Sequence, residues 1–297
     1  MRRRLLTTIL AVTALSVTAL VGAVPATAAV LPPGVPYVAI GDSVASGNGL
    51  MPYYDASCLR SNKAYPTVLA GMLGGSVVSA ACSGNTTEQV KMQALTLAQQ
   101  GKLGWATELV TITAGVNDLP WISVLGACSN LGNLQLCQGL MAGIGGAGAG
   151  IPAGLASAII VVRQAAPNAQ IRVTGYPFLF GAFDGKCAVG AAGPGTPMKF
   201  ERAQADLIDD VGVSGLNSAV RLGVVGYLNW YHDMTGHVDS RVELVPVTAT
   251  FAGHGLCDSG ERWVSGLVNG QPKDRGFHPN VAGQQAIAAT IAATLPH

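Results

Sequence analysis

Charged side chains are scarce in this 297-residue chain: Asp, Glu, Lys and Arg together make up 11% of it, and aromatic residues only 6%. No basic stripe runs through its body, so nucleic acid is not an expected partner. No two cysteines are spaced C-x-x-C, and none has a histidine at finger-like spacing, which removes the common zinc patterns. His232 and His237 are five residues apart, on different faces of any helix that holds them. Together with Asp233, and like His254, they read as ordinary surface histidines, and no metal site is expected. There is no internal repeat, no Pro/Ser/Thr-rich linker and no G-x-S-x-G of the kind that forms a nucleophile elbow. No acid occurs between Asp118 and Asp184. That gap bears on Gly143-Ile144-Gly145-Gly146-Ala147-Gly148, which matches G-x-G-x-x-G. With no strand before it, Pro152 close behind and no acid to hold a ribose, it reads as a flexible or closely packed surface element.

What is present begins with a leader. Met1-Arg2-Arg3-Arg4 is a basic head, residues 5–24 form an apolar run, and Ala26-Thr27-Ala28 is a small-x-small exit. The order fits a secretory signal peptide over residues 1–28, cleaved near Ala28, with residues 29–297 as one secreted, extracellular domain. The alternative is an uncleaved anchor, because the run approaches spanning length. Removing three arginines from 17 basic residues leaves 14 against 16 acidic ones, so a formal charge of +1 becomes −2.

Six cysteines in an exported chain suggest three disulfides. Sequential pairing, Cys58–Cys82, Cys128–Cys137 and Cys187–Cys257, lets each bridge bracket one excursion between core elements. On the chain-entropy picture the short loop contributes roughly 2–3 kcal/mol and the long one about 4.

Five apolar or β-branched runs read as buried strands: 37–40, 76–81, 109–113, 171–175 and 242–248. Helix-like stretches lie between and after them, at 65–73, 86–97, 151–165, 200–223 and 281–294, the last with Asn280 as N-cap. Strands alternating with helices predict an α/β fold with a parallel sheet covered on both faces. Sites in such sheets gather at the carboxyl ends of the strands.

After the first run comes Gly41-Asp42-Ser43-Val44, where Gly41 permits a sharp turn and leaves Ser43 on the rim, at a helix N-terminus. After the second comes Cys82-Ser83-Gly84-Asn85-Thr86, where Gly84 lets a backbone N–H approach a ligand. After the third comes Ala114-Gly115-Val116-Asn117-Asp118, offering the Asn117 amide. Before the final helix comes Asp274-Arg275-Gly276-Phe277-His278-Pro279-Asn280. Ser needs a base to become a nucleophile, and neutral imidazole serves near pH 7. Asp42 and Asp118 read as supporting groups bonded to backbone or to neighbouring side chains. Trp121, Phe178, Phe180 and Phe183 follow the third and fourth strands and are candidates to line a groove.

These four blocks, in this order, resemble the SGNH family of the GDSL hydrolases, with Ser43, Gly84, Asn117 and His278 on its four eponymous positions. The S-G-N-G and C-S-G-N-T-T contexts, the leader and the six cysteines look like its secreted actinomycete lipases and esterases. The resemblance implies a flavodoxin-like three-layer α/β/α sandwich with a central parallel sheet of about five strands. It implies a Ser43–His278 serine hydrolase of carboxylic, fatty-acyl esters, with an oxyanion hole of Ser43, Gly84 and Asn117. A phospholipase or polysaccharide acetylesterase would use the same chemistry; a secreted binding protein that lost activity is the reading from another class. No cofactor is implied, the partner is a small-molecule or lipid ester, contact with lipid surfaces is at most transient, and a monomer is expected. One position departs from the family. The aspartate usually three residues before the histidine is Arg275 here, with Asp274 one place earlier. Either the Asp274 carboxylate orients His278, or the Arg275 main-chain carbonyl does and the pair is a dyad.

Overall fold

Residues 34, 36–193, 196–267 and 276–296 are described by the computed structural model. The expected leader, Asp274 and Arg275 lie outside the described residues.

The first half of the chain runs β1 (Tyr37–Gly41), the single turn α1 (Ser43–Ser46), a small hairpin of β2 (Tyr53–Asp55) and β3 (Arg60–Ser61), then α2 (Tyr65–Met72) and β4 (Val77–Ser79). It continues with α3 (Thr87–Gln99), β5 (Leu109–Thr113), α4 (Trp121–Ala127), α5 (Leu134–Ala147), α6 (Ile151–Ala165) and β6 (Gln170–Thr174). A second hairpin, β7 (Lys186–Gly193) and β8 (Thr196–Glu201), precedes α7 (Arg202–Asp206), a π-helical segment (Leu207–Val213) and α8 (Ser214–Thr235). Last come β9 (Val242–Val245) and α9 (Val281–Ala292).

β1 and β5 are buried at every residue. Such strands fit only the middle of a sheet covered on both faces. They pair in parallel within a five-stranded sheet ordered β4-β1-β5-β6-β9. Counting only these strands, the order is 2-1-3-4-5, the flavodoxin-like arrangement, in which the chain reverses its direction of travel between the first and third strands. Helices α3, α6 and α8 pack side by side, and α2 packs with α9, giving helical layers on both sides of the sheet. α6 shows why: Ile151, Leu155, Ala158, Ile159 and Val162 form one buried stripe at helical spacing. Fully burying a side chain such as Ile112 or Ile159 contributes about 1.5–3 kcal/mol. The fold is therefore a three-layer α/β/α sandwich.

The expected strands over 76–81 and 242–248 are shorter, and the helix expected over 200–223 divides. Phe200 belongs to β8, where it is fully buried. The helix starts only after Glu201, whose side chain forms a capping box with Gln204. It passes through the π-helical segment and ends at Gly236, with φ 73°. The G-x-G-x-x-G match falls in the last turn of α5 and the residue after it. Disulfides join Cys58 to Cys82, Cys128 to Cys137 and Cys187 to Cys257.

Candidate active site

The turn leaving β1 is built for a sharp exit. Gly41 has φ 154°, and a Cβ there would sit 2.6 Å from the Thr113 carbonyl oxygen, so no other residue fits. The Gln93 side chain of α3 accepts from the Gly41 N–H at 2.8 Å and donates to the Gly41 C=O at 2.9 Å, and that carbonyl also accepts from the Cys82 N–H. Asp42 is fully buried and caps α1 by accepting from the Val44 N–H at 2.9 Å. Gln284 of α9 accepts from the Tyr65 N–H and donates to the Val44 carbonyl, tying α9, α2 and α1 together. Ser43 is thus presented on a turn fixed by its own Asp42 and by side chains from two helices, α3 and α9.

Burial drives the Asp42 pKa up from 3.8 to about 7, against the opposing hydrogen bonds from Tyr176 and the α1 backbone. The Tyr176 hydroxyl donates to its Oδ2 at 2.5 Å.

Across the rim, His278 Nε2 lies 2.8 Å from Ser43 Oγ. His278 is held mainly through its main chain. Its carbonyl accepts from the Ser265 N–H, and the flanking Phe277 N–H donates to the Ser265 carbonyl. The Asn280 N–H donates to Trp263, and Asn280 caps α9. Phe277 takes φ 63°, an uncommon conformation for a bulky residue, and its ring packs edge-on to Phe200 at 5.9 Å. The Gly276 carbonyl lies 2.9 Å from His278 Nδ1, while the two expected partners, the Asp274 carboxylate and the Arg275 carbonyl, lie outside the described residues.

The Gly84 turn joins both neighbours. Asn48, on the turn after α1, donates to Ser83 Oγ at 3.1 Å, and the Asn117 amide donates to the Asn85 carbonyl at 3.0 Å. Gly84 has φ 85°, and the space where a Cβ would stand is empty, so its backbone is open to a ligand. The Cys58–Cys82 bridge and the bond from the Ser83 N–H to the Cys58 carbonyl anchor this turn to the β2–β3 hairpin. Asp118 turns away from the rim and caps α3, accepting from the N–H and hydroxyl of Thr87. Ser43 and Asn117 thus follow the two strands that flank the switch point, where ligands bind in this sheet order.

The four aromatic groove candidates part company. Phe180 is buried against Phe200, with ring centroids 4.8 Å apart, so it is core. Phe183 lies under the Arg202 guanidinium. Trp121 and Phe178 remain half-buried. Among the described residues no group of three His, Cys, Asp or Glu side chains gathers where a metal could bind. Gln93, Gln284, Tyr176 and Asn217 carry much of this architecture without a sequence motif to mark them. A polar residue on an otherwise buried helix face is the one signal that could have found the two glutamines.

The sequence model of the GDSL-like lipase/acylhydrolase family matches residues 39–286. A lipase of Streptomyces rimosus is 32% identical over 276 residues, covering 90% of this chain and 88% of that one. Lipase 2 of Streptomyces coelicolor is 29% identical over 86% of this chain and 84% of its own. The crystal structure of the extracellular lipase from S. rimosus superposes with a TM-score of 0.61 at 29% identity, covering 86% of this chain and 98% of that one. Phospholipase A1 from Streptomyces albidoflavus gives the same TM-score at 27% identity, with the same coverage of both chains. With the family model matched over residues 39–286 and a relative 32% identical over 90% of its length, the chain belongs to the GDSL-like lipase/acylhydrolase family of ester hydrolases.

Proposed function

We propose that the chain is a secreted hydrolase of fatty-acyl esters, with Ser43 as nucleophile and His278 as general base. The observation that carries this reading is the 2.8 Å contact between His278 Nε2 and Ser43 Oγ at the switch point of the sheet. Ser43 Oγ attacks the ester carbonyl as its proton passes to Nε2. The N–H groups of Ser43 and Gly84 and the Asn117 amide hold the oxyanion of the tetrahedral intermediate. His278 then gives the proton to the departing alcohol, leaving an acyl-Ser43 ester. Water, deprotonated by the same imidazole, attacks the acyl group and frees the acid and Ser43. The Gly276 carbonyl, accepting from Nδ1–H, keeps Nε2 unprotonated and aimed at Ser43.

Lipid esters as the substrate class are supported by the surface beside Asn117. From Asp118 to Arg163 the chain carries no charged side chain in between. Ile122, Leu131, Leu134 and Leu136 of this stretch are exposed, Ile122 by 89%. Such a surface suits contact with acyl chains and not with a hydrated polysaccharide. The likeness to a phospholipase A1 favours glycerophospholipids as a second substrate class. Secretion is supported by the leader pattern and the three disulfides, which persist in oxidising compartments.

The test is a rate series across p-nitrophenyl esters from acetyl to palmitoyl, with phosphatidylcholine and acetylated xylan alongside. Faster turnover of medium and long acyl chains than of acetyl is expected, with xylan inert. Preference for acetylated xylan would overturn the lipid assignment.

A further inference from the structure

Tyr176 follows the end of β6 and lies outside the motif blocks, yet its hydroxyl connects two of them. Its proton goes to Asp42 Oδ2 at 2.5 Å, and its oxygen accepts from the Val116 N–H at 3.2 Å. Asp42 immediately precedes Ser43, and Val116 immediately precedes Asn117. The β1–β5 ladder ends at Gly41 and Thr113, extended by one bond from the Asp42 N–H to the Thr113 carbonyl. Beyond that point, among the described residues, no main-chain hydrogen bond joins the Ser43 turn to the Asn117 turn.

Tyr176 is itself fixed. The Asn217 side chain of α8 accepts from its N–H at 2.8 Å and donates to its carbonyl at 2.9 Å. Asp42 is fully buried and Tyr176 is 5% exposed, so water does not compete strongly for the Asp42 arm of the bridge, while the Val116 arm is part-buried. A hydroxyl with one donor and one acceptor arm, on a main chain held at both polar atoms, works as a rigid spacer.

We infer that Tyr176 is a positioning residue of the reaction, holding the Ser43 turn against the Asn117 turn so that the amide meets the charge developing on the attacked ester. This rests on the roles given above to Ser43 and Asn117. Tyr176 touches no reacting atom; it acts through its neighbours. Displacing an oxyanion donor by a fraction of its hydrogen-bond length weakens it in the transition state more than in the substrate complex.

Tyr176→Phe removes both arms with one atom and keeps the ring. On a soluble p-nitrophenyl ester kcat should fall about tenfold to a hundredfold, with KM within about twofold. The decisive measurement is the double-mutant cycle with Asn117→Ala. If Tyr176 works by placing Asn117, Tyr176→Phe should change kcat by less than about threefold once that amide is gone. Fully multiplicative losses, with the expected loss in Asn117→Ala alone, overturn the spacer and leave the oxyanion assignment standing. A wild-type rate in Asn117→Ala alone removes both. As a control on folding, 3-fluorotyrosine at position 176 keeps ring and hydroxyl and should retain kcat within about twofold; a tenfold loss there also overturns the spacer.

Discussion

The two halves of the candidate site are held in different ways. On the Ser43 side, buried side chains do the work: Gln93 bonds both polar atoms of Gly41, Asp42 caps α1, and Gln284 spans Tyr65 and Val44. On the His278 side, main-chain bonds from Ser265 and Trp263 hold the loop, with one bulky residue in a left-handed conformation. The Ser43 turn is consequently vulnerable to side-chain truncation at a distance, whereas the His278 loop is indifferent to many of its partners' side chains. Both constructions meet at one 2.8 Å contact.

The largest effects belong to that contact. Ser43→Ala and His278→Ala should each lower kcat by at least ~10⁴-fold, and the double variant should be scarcely worse, because the two act as one unit. Steady-state kinetics on a soluble ester measures this, and additive losses in log kcat would separate the residues. Next is Asn117→Ala, expected to cost about 10²–10³ in kcat with KM little changed. A near-wild-type rate removes Asn117 from the mechanism.

The contrast between the halves is tested by stability. Gln93→Ala leaves the Gly41 N–H buried without a partner, while the Gly41 C=O keeps its bond from the Cys82 N–H, at a cost of about 1–3 kcal/mol. Ser265→Ala keeps the main-chain bonds and should change stability by less than about 0.5 kcal/mol. Urea unfolding of both variants decides whether the asymmetry is real, and equal losses would refute it.

Acidity gives a smaller, signed effect. Burial raises Asp42 and also Asp209, which accepts from the Leu179 and Phe180 N–H groups, from 3.8 to about 7. Between those values the folded protein binds more protons at these sites than the unfolded chain. Their contribution to stability is therefore present below about pH 4 and is lost as the pH rises through about 7. Melting curves across this range should show a decline toward neutral pH that flattens in Asp209→Asn. Among the variants aimed at kcat, the smallest change is expected for Asp274→Asn. With the Gly276 carbonyl at Nδ1, kcat should stay within about tenfold; a fall by orders of magnitude would make Asp274 the orienting acid.

Much of the architecture was legible because parallel strands buried on both faces read as unbroken apolar runs, and because Gly41, Gly84 and Asn117 lie just past three of them. The β7–β8 hairpin was hidden by its composition. Ala, Gly and Pro carry little strand signal, and Phe200 looked like the first turn of a helix. Helix α5 was hidden by glycines that disfavour helices by about 1 kcal/mol each; the Cys128–Cys137 bridge closes its first turn onto α4. Tyr176, Gln93 and Gln284 act on backbone far away in sequence, so no local pattern marks them.

The pairing of Ser43 with His278 is tested most directly by an alkyl organophosphonate fluoride and intact-mass analysis with peptide mapping. One adduct, on Ser43, is expected, lost in Ser43→Ala and formed at least ~10²-fold more slowly in His278→Ala. An adduct on another residue, or an unchanged labelling rate without His278, would contradict the assignment.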